Sequence, residues 1–230
     1  MFIKIVCLIS IIFALTSAAP KRTSRSPKRT SRSIPIWHMP CGEDYDLEVP
    51  SSSESFEENI KFNVENLRLQ HQLTMNAYLN QDFEYLYEGV SFTLYDHQYI
   101  PNWLPDIKDT NLVRSLANSN SLMIVNHFPK MHMDLQKFAV AFEELIEDES
   151  NSHIQIALKT TQSYLMMMLC EVESHITSLP SLQLPIRVER SIMSNIERNP
   201  VDETKRLIRD WGVILKYRNY LHAWRHVFNY

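Results

Sequence analysis

Apolar residues recur at helical spacing along most of the chain, and the first two long stretches predict helices A and B. Helix A follows the polar residues 51–53 and extends to about Glu88, with Gly89 in the position that often follows a helix end. Helix B covers roughly 110–148. Pro129 lies inside this stretch and is expected to kink or divide the helix, because proline lacks an N–H and clashes with the preceding turn.

Two further stretches predict helices C and D. Helix C spans about 152–178 and stops before Pro180. Helix D opens with Asn199 as the capping residue and Pro200 at the first helical position, and it runs nearly to Tyr230. Each predicted helix has about 25 residues or more, which corresponds to roughly 40 Å at a rise of about 1.5 Å per residue.

The lengths of the links between these helices indicate the topology. About 20 residues join A to B and about 20 join C to D, whereas only about four join B to C. A link of about 20 residues reaches about 66 Å when extended, which is enough to return along a helix of about 40 Å. Long, short and long links are typical of the up-up-down-down four-helix bundle. The sequence therefore predicts an all-α fold of this kind, with long AB and CD crossover loops.

Composition supports a helical fold and excludes several others. Only three of the 230 residues are glycine. Rossmann and P-loop sites need glycine where the backbone approaches phosphate, and hairpin-rich β-folds need it in their turns, so these classes are excluded. A hydrophobic content of 44% in a chain of this length is enough for one substantial core.

The N-terminus predicts a secreted protein. Residues 1–18 combine Lys4, an apolar run over 5–15 and small residues before the expected cleavage site, which is the pattern of a secretory signal peptide. The apolar run is too short to span a bilayer, which needs about 20 apolar residues. No second run of spanning length follows, so we expect a secreted, soluble protein without membrane insertion.

A strongly basic repeat follows the signal peptide, in which the unit PKRTSRS occurs twice over 20–33. Each unit contains an Arg-x-x-Arg pattern of the kind that furin-like convertases accept, ending at Arg25 and at Arg32. The repeat can equally hold anionic glycans or remain a solvated tail without function. Secretion and a net charge of −4 argue against nucleic acid as a ligand, and we predict none.

An acidic stretch separates this repeat from the helices. Residues 43–58 contain seven acidic and no basic side chains, which is usually the mark of a solvated segment. The stretch could also pair with the basic repeat. We therefore predict three parts: a signal peptide over 1–18, a disordered arm over 19–50 that is basic and then acidic, and a four-helix domain over 51–230.

The mature chain keeps two of its three cysteines, because Cys7 leaves with the signal peptide. In an oxidising compartment Cys41 and Cys170 have only one intramolecular pairing. A bridge between them would lower the entropy of the unfolded chain and so stabilise the folded protein by roughly 4–5 kcal/mol. Two free or intermolecular thiols are the alternative.

The sequence gives little indication of catalysis. His222 and His226 are four residues apart, a spacing that lets two imidazoles share a metal, but Ala223 occupies the place of the glutamate that an H-E-x-x-H protease requires. Methionine-rich runs within apolar stripes are ordinary core filler. We therefore predict no enzyme, no metal and no cofactor.

Helix D carries more apolar surface than one bundle helix usually buries. Its two apolar rows are rotated by about a quarter turn or more, and arginines flank the second row. Trp, Tyr and Arg are enriched at interface hot spots, so we predict a receptor contact there. The predicted contact residues are Tyr217, Arg218, Tyr220, Trp224 and Arg225, with Trp103 of the AB loop. The alternative is that the AB loop folds over this row and covers it.

A secreted chain with four long helices, long AB and CD loops, one disulfide and an aromatic-rich last helix resembles the long-chain class-I helical cytokines. Among these it is most similar to the Unpaired-type ligands of insects, which act through a cytokine receptor upstream of JAK and STAT. The resemblance is architectural and covers about 50–230. It implies a receptor-activating ligand. The alternative function is a secreted helical carrier that binds a lipid or another apolar ligand between its helices.

Overall fold

The computed structural model describes residues 33–42, 56–91 and 99–230, and the regular structure of these residues is entirely helical. The predicted signal peptide, the processing sites at Arg25 and Arg32 and most of the acidic stretch lie outside the described residues. In chain order the α-helices are α1 (Phe56–Leu79), α2 (Phe83–Leu86), α3 (Glu88–Ser91), α4 (Ile107–Arg114), α5 (Ser121–Val125), α6 (Phe128–Asp148), α7 (Ser152–Ser178), α8 (Asn195–Arg198) and α9 (Glu203–Phe228). Short 3-10 turns occupy Ile36–His38, Ser115–Asn118 and Arg190–Ile192.

Helix C is confirmed as α7, with the predicted bounds. Asn151 caps its first turn by accepting a hydrogen bond from the backbone N–H of His153 at 2.9 Å. Helix A is shorter than predicted, because α1 ends at Leu79. Asp82 then adopts a left-handed backbone conformation, with φ at 46°, and its side chain accepts from the backbone of Tyr85 to begin α2.

Helix B is divided into three helices rather than kinked. Pro129 lies in the first turn of α6, where the missing N–H costs nothing, so it begins a helix instead of bending one. Upstream, a capping box between Asp106 and Asp109 starts α4, and Asn120 caps α5.

The predicted start of helix D is wrong. Asp202 is its cap and accepts from the backbone N–H of Lys205 at 2.8 Å. Asn199 instead follows α8, a short helix that opens with a capping box between Ser194 and Glu197. The sequence holds two start signals close together, and the second of them opens the long helix.

The long helix α9 runs antiparallel to both α1 and α6. Near the end of α1, the Tyr78 hydroxyl donates to the carbonyl of Ile214 in the middle of α9 at 3.2 Å. Earlier in α1, Nδ1 of His71 lies 2.5 Å from the hydroxyl of Tyr230, which follows the end of α9. Against α6, the Arg209 guanidinium early in α9 donates to Asp148 at the end of α6 at 3.0 Å, while Tyr217, later in α9, lies 5.0 Å from the earlier Phe138 between ring centroids. These contacts place α9 between the other two helices.

The helix α7 also packs antiparallel to its neighbours. At one end of the α6–α7 pair the Gln155 amide donates to the carbonyl of Ile146 at 3.2 Å, and at the other His132 contacts Glu173 at 2.9 Å. On its other side α7 packs along α1, where the hydroxyl of Thr74 lies 3.3 Å from a backbone carbonyl of α7.

Two crossovers bind these helices together. The first crossover, residues 80–127, places α4 on α9, and the Lys216 ammonium donates to the carbonyls of Pro101 at 2.9 Å and Leu104 at 3.3 Å. Gly212 allows this close approach, because a Cβ there would lie 2.4 Å from Cγ1 of Ile100 and would force that side chain to move.

The second crossover, residues 179–202, lies along α6 and α7. Its Arg187 binds Glu173 of α7 at 2.5 and 2.6 Å, and its Arg190 binds Glu143 of α6 at 2.7 Å. These bidentate pairs fix the position of the crossover on the two helices.

An N-terminal strap, residues 33–42, is held against the second crossover and α7. The Trp37 indole is fully buried and donates to the carbonyl of Val188 at 2.7 Å. Cys41 and Cys170 form a disulfide, which is the pairing expected from the sequence. From Pro35 onward the strap therefore belongs to the same packed unit as the helices, which spans 35–230.

Candidate functional site

Three of the six predicted contact residues lie in the core and not on a binding surface. Tyr217, Tyr220 and Trp224 are all fully buried. The second apolar row of α9 therefore faces inward, and the prediction that it meets a receptor directly is wrong for these three side chains. The physical reason is that α9 is enclosed by α1, α6 and α4, so two of its faces are buried instead of one.

Aromatic contacts show what covers this row. Tyr217 packs edge-on against Phe142 at 5.2 Å and against Tyr78 at 5.8 Å between ring centroids. Burial raises the pKa of the Tyr217 hydroxyl far above its usual range. The Trp224 ring lies 5.8 Å from His127 at the start of α6. The cover thus comes from α1, from α6 and from His127 at the end of the first crossover, while Ile100 covers a different part of α9 at Gly212.

The two predicted arginines remain at the surface. Arg218 is half-buried and forms an ion pair with Glu84 of α2. Arg225 is exposed, and its Nε donates to the carbonyl of Tyr230 at 3.1 Å, with its guanidinium 5.8 Å above that ring. Both side chains leave part of the guanidinium accessible to a partner.

These arginines belong to a larger basic strip on the outward face of α9. We define the basic strip as Arg114, Arg218, His222, Arg225 and His226, with Arg114 contributed by α4. The pKa of His222 is lowered by partial burial and by the charges of Arg225, Arg218 and Arg114. The contributions of the three arginines show that their charges converge on His222.

A cavity of about 300 Å³ lies at the C-terminal end of the basic strip. It is lined by His222, Arg225, His226, Asn229 and Tyr230. Sequence reasoning identified Arg218 and Arg225 but missed Arg114 and the position of His222 and His226 beside them. The available signal was the spacing of 218, 222 and 225, which places three side chains on one face of a helix.

Trp103 occupies a different place from the α9 residues. Its indole is half-buried and donates to the Glu197 carboxylate of α8 at 3.1 Å. This contact joins the first crossover to the second. Trp103 is therefore engaged within the fold, and the structure does not bring it together with the basic strip.

A buried charge cluster lies where α6 ends and α9 begins. Arg209 is almost fully buried and donates to Asp210 at 2.7 Å, to Asp148 at 3.0 Å and to the carbonyl of Glu197 at 2.7 Å. Beside it, Arg198 of α8 pairs with Glu144 of α6. The cluster anchors the second crossover to α6 at the base of α9.

Burial raises the pKa of Glu144 to about 7, against an ordinary value of 4.5. Arg198 and Arg209 oppose the shift, whereas Asp148 and Glu147 add to it. Between these two values the folded protein binds more protons than the unfolded chain. The Glu144 contribution to stability is therefore present at low pH and lost as the pH rises through about 7.

We expect this group to make stability fall by up to about 1.4 kcal/mol per pH unit within that window. Glu144→Gln should remove most of this slope while keeping an acceptor for Arg198. Urea unfolding of both proteins across the window measures it, with the exposed Glu57→Gln as a matched control. An unchanged slope in Glu144→Gln would assign the pH dependence to other groups.

Metal binding and membrane crossing find no support in the described part of the chain. Within it, no three His, Cys, Asp or Glu side chains are grouped so that they could hold a metal ion. Each helix of residues 33–42, 56–91 and 99–230 is too short or too polar to cross a membrane.

Comparison with known proteins gave no match. No family model matches the sequence, and neither a curated protein nor a solved structure is significantly similar to the chain. Functional inference therefore depends on the helices and surfaces described above.

Proposed function

We propose that this protein is a secreted helical cytokine that binds a cell-surface cytokine receptor and signals through a JAK/STAT-type pathway. The observation that carries the proposal is the relative direction of the four long helices. Since α9 is antiparallel to α1 and to α6, those two helices share one direction. Since α7 is antiparallel to α6, it shares the direction of α9.

Two helices up and two helices down, joined by long crossovers, is the connectivity of the cytokine bundle. The short turn between α6 and α7 and the long second crossover, residues 179–202, agree with it. The Cys41–Cys170 disulfide supports an extracellular location, because such bonds persist in oxidising compartments.

The receptor contact that we propose is the basic strip. Its arginines and histidines would face an acidic receptor surface, since complementary charge speeds association and selects the partner. The buried aromatic residues beneath the strip would act by holding α9 in place and not by touching the receptor. On this view the protein works by binding and carries out no catalysis.

The test of the proposed function uses residues 19–230 on cells that carry a STAT-responsive reporter and a candidate cytokine receptor. A second preparation without residues 19–33 asks whether the basic repeat is dispensable for signalling or holds the ligand on anionic glycans. Activation supports the cytokine. Silence of well-folded protein across the candidate receptors would contradict it.

Charge reversal on the basic strip should weaken receptor binding. We expect Arg218→Glu with Arg225→Glu to raise the dissociation constant by at least about tenfold, mainly through slower association. Surface plasmon resonance at low and high salt measures the effect, which salt should diminish. Lys61→Glu with Lys108→Glu, which reverses two exposed positive charges outside the strip, is the matched control. Equal effects of the two proteins would exclude the strip as the contact.

A carrier of an apolar ligand is the second candidate, and a cavity of about 650 Å³ beside the first crossover favours it. Ile100, Pro105 and Ile107 line this cavity, but Asp106, Arg114 and Lys216 line it as well. A mixed lining suits a lipid less well than a dry apolar pocket would. Lipid extracted from the purified protein and identified by mass spectrometry would favour the carrier.

A further inference from the structure

The helix α1 carries a second apolar stripe that points away from the core. Phe62, Leu69 and Leu73 are 59%, 47% and 53% exposed, whereas Leu67 and Met75 on the opposite side are buried. At about 100° per residue the three exposed side chains fall within a narrow sector of the helix. Apolar residues grouped in this way on an outer face mark an interaction surface more often than single exposed ones do.

The spacing of this stripe is that of a coiled-coil seam. Phe62, Asn66, Leu69, Leu73 and Asn76 follow one another at alternating intervals of four and three residues. Intervals of this kind keep side chains on one seam that packs against another helix. An asparagine within a seam fixes the register and the number of helices, because it needs an equivalent partner.

The neighbouring helix α7 extends the surface. Thr74 of α1 bonds to the carbonyl of Tyr164 at 3.3 Å, which brings the outward faces of the two helices side by side. Tyr164 is half-buried, and Met167 on the outward face of α7 is 49% exposed. Leucine, methionine and aromatic side chains together form the kind of surface that interfaces bury.

The α1 seam carries no charged side chain between Phe62 and Asn76. Gln70 of α1 and Thr160 and Ser163 of α7 lie beside it and are uncharged, whereas the exposed Lys159 lies one turn before Ser163 on α7. Glu65 lies beside the stripe and is paired with Arg68 on the same helix at 2.5 Å. The basic strip on α9 would repel an identical copy, whereas two uncharged α1 seams meet without this cost.

We propose that the outward face of α1 and α7 is an interface between two copies of this chain, with their α1 helices parallel and in register. A two-fold axis along the helices places Asn66 beside Asn66 of the second copy, where the two amides bond to each other. It places Leu69 beside Leu69 and Leu73 beside Leu73. The antiparallel arrangement centred on Leu69 would instead bury Asn66 against leucine, which leaves a polar group unpaired. Such a contact is isologous, as in most soluble dimers.

Sedimentation of the purified chain over a wide range of concentration tests the dimer. We expect reversible association in the unaltered protein and a dissociation constant at least about tenfold higher in Leu69→Glu, since two charges would meet at the axis. Ile186→Glu, at an 88% exposed position of the second crossover, is the control and should associate normally. Circular dichroism checks that each variant keeps its helices.

Cross-linking through introduced cysteines tests the register. In a parallel dimer Phe62→Cys, Leu69→Cys and Leu73→Cys should each form a disulfide with its own copy, whereas an antiparallel dimer would cross-link only near the centre. Ile186→Cys should not cross-link.

A monomer at every concentration, or an unchanged dimer in Leu69→Glu, would overturn the proposal. A monomer that loses reporter activity in Leu69→Glu would assign the surface to another partner and would equally overturn it. Sedimentation does not depend on a receptor, so this proposal and the proposed function can fail separately.

Discussion

Replacing Tyr217 with alanine is expected to lower the free energy of unfolding by about 3–5 kcal/mol, as for other buried aromatic side chains. The ring is fully buried between Tyr78 of α1 and both Phe138 and Phe142 of α6. Removing it leaves a cavity where three long helices meet, and closely packed helices close such a cavity only in part. Urea unfolding followed by circular dichroism measures the loss.

Tyr217→Phe is the matched control, because it removes only the hydroxyl. That hydroxyl has no hydrogen-bond partner among the described residues, so its burial costs free energy in the folded protein. We expect Tyr217→Phe to be as stable as the unaltered protein or up to about 2 kcal/mol more stable. If Tyr217→Ala has the same free energy of unfolding as the unaltered protein but fails to bind receptor, the inward placement of this ring would be contradicted.

Removing the disulfide is the second change with a large expected effect. Cys41 and Cys170 are separated by 129 residues. Closing a loop of that length raises the free energy of the unfolded chain by about 5 kcal/mol if the effect is entirely one of chain entropy. Cys41→Ser with Cys170→Ser should therefore cost about 2–5 kcal/mol of stability. Trp37 and its bond to Val188 would remain and hold the strap in part.

Reduction gives an independent measure of the same bond. Dithiothreitol should destabilise the unaltered protein by about as much as the double substitution and should leave the double variant unchanged. If the double variant and the oxidised protein unfold at the same urea concentration, the bridge contributes little to stability.

The sequence predicted helix content well and helix ends less well. Helix C was found with its bounds, because Asn151 caps it on one side and Pro180 follows it on the other. The predicted start of helix D lies before the observed one. A cap followed by proline at 199–200 is a sound local signal, but Asp202, just after it, is the residue that caps the helix. Whether a proline begins or breaks a helix depends on the cap upstream, and periodicity does not reveal that choice for Pro129.

The candidate site was predicted in part. Amphipathic spacing located Arg218 and Arg225 at the surface, but it assigned Tyr217, Tyr220 and Trp224 to the same surface. Two apolar rows on one helix can mean a buried row with an exposed one, or a helix enclosed on two sides. Only tertiary packing of α4 and α6 against α9 decides between them, and that packing joins residues far apart in sequence.

The N-terminal strap can form its native contacts only late in the synthesis of the chain. Trp37 and Cys41 emerge from the ribosome first among the described residues, yet their partners Val188 and Cys170 are made more than a hundred residues later. At about 5–20 residues per second the indole and the thiol remain without their native contacts for about 6–30 s. The first described segment to be synthesised is therefore fixed only after Val188 and Cys170 have been made, when α9 is the long helix still to be synthesised.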